Sequence, residues 1–176
     1  MNRRQVIRDL FLVSGVFVLA PYCRLQNDRV AIKLSHMHFS AEDEQLLSSI
    51  SSAIIPGTDS PSAGELGCHL FTVKMLNDCY ELDVQEIFLQ GMKAFDLYAK
   101  QNWGNSFEKC TPQQQQEIFT HAEAGTTKQQ IIADFFGIMK EKTIQGFMTS
   151  KYVLTNINKY EFIPSVKYNG YAPVTL

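Results

Sequence analysis

The chain has no strong excess of charge of either sign, no CxxC pair, and none of the short motifs that announce common chemistries. Sixteen Lys and Arg against eighteen Asp and Glu leave a net charge of −2. That balance provides no extended positive field, which argues against a nucleic-acid partner. The four cysteines, Cys23, Cys68, Cys79 and Cys110, form no Cys/His tetrad and no CxxCH. Structural zinc, covalent haem and iron–sulfur clusters therefore lack their ligand sets. GxSxG, the phosphate-binding P-loop and GxGxxG are absent too, so acyl transfer, nucleotide hydrolysis and dinucleotide binding have no signature here. With 176 residues the chain has room for one domain, not for a complete two-domain flavin or dinucleotide oxidoreductase.

What charge there is divides unevenly. Arg3, Arg4 and Arg8 against Asp9 give the first 23 residues +2, leaving −4 for residues 24–176. The basic head is followed by an uncharged stretch, 10–23, of 14 residues. This is short of the ~18–20 needed to span a bilayer. A basic head before a short apolar stretch is the layout of an export signal. Arg3-Arg4-Gln5-Val6-Ile7-Arg8 is similar to the twin-arginine pattern, with Asn2 and Val6 as departures from it. The fate of the signal stays open between cleavage, lipid modification at Cys23 and retention as a short anchor.

The remainder predicts an all-α body over 41–148, an irregular bundle of about five helices reached through a linker at 24–40. Ser40 followed by Glu42, Asp43 and Glu44 reads as a helix cap with acids in the first turn. Leu46, Leu47, Ile50, Ala53 and Ile54 then recur at helical spacing. Residues 56–64 (PGTDSPSAG) are turn formers almost throughout and mark a loop. Further helices are expected from about Ala63 to Tyr80, from just after Glu81 to Asn102-Trp103-Gly104, from Thr111-Pro112 to about Glu123, and from Ile131 to near Met148. Cys68 and Cys79 on one helix would lie roughly 16 Å apart, too far to bridge, so any disulfide in the body would use Cys110.

From Thr149 to Leu176 the helical period stops, and Tyr152, Tyr160, Phe162, Tyr168 and Tyr171 appear among polar residues. Such a segment is too aromatic for a solvated tail. It either packs on the chain's own helices or faces a partner. No residue set nominates a nucleophile, a base or a metal site. His36 and His38 form an HxH without a predictable third ligand, while His69 and His121 read as surface or satisfied core histidines. The glutamines 113–116 read as a solvated face, and Trp103 and Phe107 as core.

The order of these features carries a resemblance. An arginine-pair signal precedes Ile54-Ile55-Pro56-Gly57-Thr58-Asp59-Ser60-Pro61-Ser62-Ala63. The stretch Trp103–Phe107 follows, then residues 143–150 (TIQGFMTS), Tyr160, Ile163-Pro164 and Tyr168-Asn169-Gly170-Tyr171. The whole resembles the gluconate 2-dehydrogenase subunit 3 family. Where that family's tail usually has Pro-Gly and Tyr-x-Gly-Cys, this chain has Pro164-Ser165 and Tyr168-Asn169-Gly170-Tyr171.

The resemblance implies a small helical subunit with no active site and no cofactor of its own. Its expected partner is a large flavoprotein of the glucose–methanol–choline type holding FAD, with a haem c subunit possible as a third component. The signal at Arg3 and Arg4 would engage the twin-arginine translocase and bring the complex to the periplasm, associated with the inner membrane. Pro56, Thr58, Asp59 and Pro61 of the loop, with Thr149, Ser150, Tyr160, Pro164, Tyr168 and Gly170 of the tail, are the expected partner interface. The competing expectation is a stand-alone exported helical protein, lipid-anchored through Cys23, with a different envelope partner.

Overall fold

The structure, a computed structural model, describes residues 37–125 and 130–159. Among the described residues there is no strand, and five α-helices make the body. Helix α1 (Ala41–Ile54) starts at a capping box. The Asp43 N–H donates to Ser40 Oγ at 3.1 Å, and the Ser40 N–H donates to Asp43 Oδ2 at 2.9 Å. The three acids of its first turn face the positive end of the helix dipole. It stops at Ile55, which turns extended (φ −127°) ahead of Pro56, as the residue before a proline should.

Helix α2 (Cys68–Cys79) begins five residues later than the apolar pattern suggested. Gly67 sits at φ +70°, a left-handed conformation that interrupts the right-handed run. Residues 63–67 instead form consecutive turns, tied by Leu66 N–H to Ser62 O and Gly67 N–H to Gly64 O. Helix α3 (Leu82–Trp103) ends where Gly104 adopts φ +75°. A short 3-10 turn (Phe107–Lys109) leads to α4 (Pro112–Glu123), opened by a capping box between Thr111 and Gln114 with Pro112 at the first helical position. Helix α5 is Gln130–Met148.

The expected solvated glutamine face is only half right. Gln113 and Gln116 are exposed, but Gln114 caps its own helix and Gln115 Nε2 donates to Phe107 O at 3.2 Å. The helical period also does not stop at Thr149. Lys151 and Tyr152 are helical and Val153–Ile157 forms a π-turn, started by Ser150 Oγ accepting the Val153 N–H. The remaining tail, with Tyr160, Pro164, Tyr168 and Gly170, and the signal with Arg3 and Arg4, lie outside the described residues.

Helix α5 is the central element, packed against the other four helices. Its Phe135 and Phe136 meet Phe88 and Phe95 of α3 and Phe119 of α4, and Phe107 of the 3-10 turn joins the cluster through Phe95 and Phe119. Ring centroids lie 4.9 Å apart for Phe88–Phe135 and 4.6 Å for Phe119–Phe136. Aromatic pairs of this kind add about 0.5–1.5 kcal/mol each beyond the area they bury. Phe107 is fully buried as expected, whereas Trp103 is half-buried and rests edge-on against Tyr98. Among the described residues no helix is long and apolar enough to cross a membrane.

Candidate functional site

The Pro56–Gly64 loop is rigid at the back and open at the front. Its two ends are pinned together by Ala63 N–H donating to Ile55 O at 3.0 Å. Inside it, Thr58 N–H donates to Ser60 O at 3.1 Å. Ser62 donates both its N–H (2.7 Å) and its hydroxyl (2.9 Å) to Glu65 Oε2, and these bonds hold the Glu65 carboxyl below its ordinary range. Gly64 is buried against α1, where a Cβ would stand 2.6 Å from Ser48 O and closer still to Ser52 Oγ. Only glycine fits there.

With the back fastened, Pro56, Gly57, Thr58 and Asp59 are left exposed, and Pro61 half-buried. Beside them the C-terminal half of α1 and the start of α4 enclose a groove of ≈ 370 Å³. Ser49, Ser52, Pro56, Pro112, Gln115 and Phe119 are among its lining, which holds no charged side chain. A preformed uncharged surface with prolines and amides suits protein docking, because little is lost in ordering it. The α4 contribution escapes a sequence reading, since α1 and α4 are brought together only by the fold.

Thr149 and Ser150 have local duties. Thr149 Oγ1 donates to Gln145 O at 2.8 Å and closes the end of α5, while Ser150 starts the next turn. Beside them Gly146 packs on Phe71 of α2, whose N–H donates to Gly67 O at the start of that helix.

Among the described residues no three His, Cys, Asp or Glu side chains gather to hold a metal ion. His38 is exposed, and its companion His36 lies outside the described residues. Cys68, Cys79 and Cys110 are all free thiols. Cys68 and Cys79 stand at opposite ends of α2, as their spacing required. Burial pushes the Cys68 and Cys110 thiols up, away from the reactive thiolate. His121 is on the surface, but His69 departs from expectation. It is buried, and its Nδ1 has no hydrogen-bond partner.

The sequence model of gluconate 2-dehydrogenase subunit 3 matches residues 41–164, most of the chain. The chain belongs to the gluconate 2-dehydrogenase subunit 3 family. The match starts at the first residue of α1, takes in the loop and all five helices, and reaches Tyr160 and Pro164 of the tail. It leaves out Arg3 and Arg4 at one end and Tyr168 and Gly170 at the other. No curated protein and no solved structure matches the chain. Membership in subunit 3 implies a place in a multi-subunit gluconate dehydrogenase complex, as its small subunit.

Proposed function

We propose that this subunit is the non-catalytic escort of a periplasmic flavoprotein dehydrogenase of the glucose–methanol–choline type, one that oxidises a sugar, glycoside or sugar acid such as gluconate. The observation that carries the reading is the family match over the helical body and loop, joined to the basic head and short apolar stretch that precede it. Arg3 and Arg4 address the complex to the twin-arginine translocase, and the folded, FAD-loaded large subunit crosses with its escort. The exposed edge of the Pro56–Gly64 loop and the aromatic tail grip that subunit.

Oxidation takes place in the flavoprotein, with a haem c subunit as a possible acceptor of its electrons. This chain's part is binding. A small subunit that binds only the folded, flavin-loaded partner stabilises it in proportion to the logarithm of its own concentration over the dissociation constant. The test is co-expression with the large flavoprotein, using a chain in which Arg3 and Arg4 are both replaced by Lys. Loss of periplasmic dehydrogenase activity with the flavoprotein held in the cytoplasm is expected. Unchanged export and activity would reject the escort role.

A further inference from the structure

His69 sits in the first turn of α2 with 7% of its surface exposed. Its Nδ1 is the one buried side-chain nitrogen or oxygen without a partner among the described residues. A neutral imidazole can leave one nitrogen unprotonated as an acceptor. Protonation would turn that nitrogen into a buried N–H with nothing to receive it, and would place a full charge in a poorly solvated site. The start of a helix makes this worse, because its first-turn N–H groups already carry partial positive charge. No side chain caps that end of α2.

Few charges nearby can compensate. Glu44 of α1 favours the charged ring, but less than burial opposes it. Glu65 of the turns before α2 is held by Ser62. Within α2, Lys74 pairs with Asp78. On α5, Lys142 lies over the Tyr80 ring, just beyond the far end of α2. At the start of α3, Asp83 accepts from the Val84 N–H.

His69 also stands at a mechanical junction. Immediately before it, Cys68 N–H donates to Ala63 O, and Gly64 is seated against Ser48 of α1. We propose that His69 is an acid-sensitive latch on the corner where α1, the Pro56–Gly64 loop and α2 meet. With the ring neutral the corner is closed; when the ring takes a proton from solvent, the corner opens locally, ahead of α3, α4 and α5. The latch rests on the geometry of this corner, whatever docks on the loop. It would nevertheless move the exposed Pro56–Asp59 edge.

The sign follows from linkage. A histidine disfavoured as the cation in the folded state binds its proton more readily when unfolded. Its contribution to stability is therefore whole above the ordinary histidine value of ~6.5 and declines as pH falls below it. The experiment uses the full chain and His69→Leu, comparing melting temperature and amide hydrogen exchange at about pH 7.5 and about pH 5.5, exchange being corrected for its intrinsic pH dependence. The native chain should melt earlier at the lower pH and exchange faster in the segment 63–73, with both changes lost in His69→Leu. The same drop in His69→Leu, or acceleration spread evenly over all helices, overturns the latch. If His69→Leu does not fold, the His69 ring is titrated by NMR in the native chain. A midpoint below the ordinary histidine range upholds the latch, and one at or above that range overturns it.

Discussion

Gly91 of α3 lies so close to Phe135 of α5 that a Cβ added at position 91 would stand 2.5 Å from the Phe135 Cβ and 2.6 Å from the Ile131 carbonyl oxygen. The two longest helices, which carry most of the aromatic core, thus touch nearly backbone to backbone. Alanine is a better helix former than glycine by ~0.5–1 kcal/mol, but overpacking a close-fitted core costs about 1–3 kcal/mol. The obstacle here is partly a backbone carbonyl, which cannot swing away. Gly91→Ala should therefore lower stability, by roughly 1–3 kcal/mol in denaturant titration. Gly137, on the exposed face of α5, has nothing within 4 Å of its would-be Cβ, so Gly137→Ala should raise stability by about 0.5–1 kcal/mol. If both substitutions shift the midpoint the same way, the close approach is not real.

Ser51 and Thr143 form a buried hydroxyl pair across α1 and α5, 3.3 Å apart with both residues fully buried. Removing one hydroxyl strands the other, at about 1–3 kcal/mol, whereas removing both leaves nothing stranded. Ser51→Ala and Thr143→Val should each destabilise. Their combination should cost less than the two added together. Strict additivity in the double-mutant cycle would show that the pair is not coupled.

Asp96 ties the turn after α3 back onto the helix. Its carboxylate accepts from Ser106 Oγ (2.7 Å) and from Phe107 N–H (3.0 Å), and pairs with Lys100 at 2.6 Å. Burial pushes this carboxyl up, but the bonds from Lys100, Ser106 and Phe107 outweigh it and hold it below its ordinary range. A lowered carboxylate contributes stability above the ordinary value of ~3.9 that is lost as pH falls through the folded-state value. Asp96→Asn should be less stable at neutral pH, and its melting temperature should fall less steeply than the native chain's on acidification from about pH 5 downward. Parallel pH curves for the two proteins would contradict this role.

Asp59 lies on the exposed edge of the loop, and the backbone bonds that fasten the loop's ends are made by Ile55 and Ala63. Asp59→Lys should leave stability within about 0.5 kcal/mol of the native chain, as for other exposed positions. It should still reduce the amount of flavoprotein that co-purifies with the subunit. Gly64→Ala gives the complementary result, because it lifts the loop off Ser48 and should lower both stability and co-purification. Equal recovery of the flavoprotein with Asp59→Lys would move the interface elsewhere.

Much of this architecture follows from local chemistry and was legible residue by residue. Ser40 before three acids, Thr111 before Pro112, the run of turn formers at 56–64 and the apolar stripe of 131–147 each settle an element. A cap, a proline or a helical period acts within a few residues along the chain. The basic head and the loop and tail motifs, read the same way, pointed to the family that the match over 41–164 then showed. The start of α2 was missed because the apolar spacing continued through Gly67, whose left-handed backbone leaves no mark on the hydrophobic pattern.

Other features exist only in three dimensions. That Gly64 seats the loop on α1, and that Pro112 and Gln115 complete a groove with Ser49 and Ser52, depends on how the helices cross. His69 is the plainest case. Sequence alone allowed a surface or a satisfied core histidine, and neither holds, because the packing of α2 seals off its Nδ1 without bringing a donor to it. Helical periodicity decides which residues face inward; only the packed neighbours decide whether an inward polar atom meets a partner.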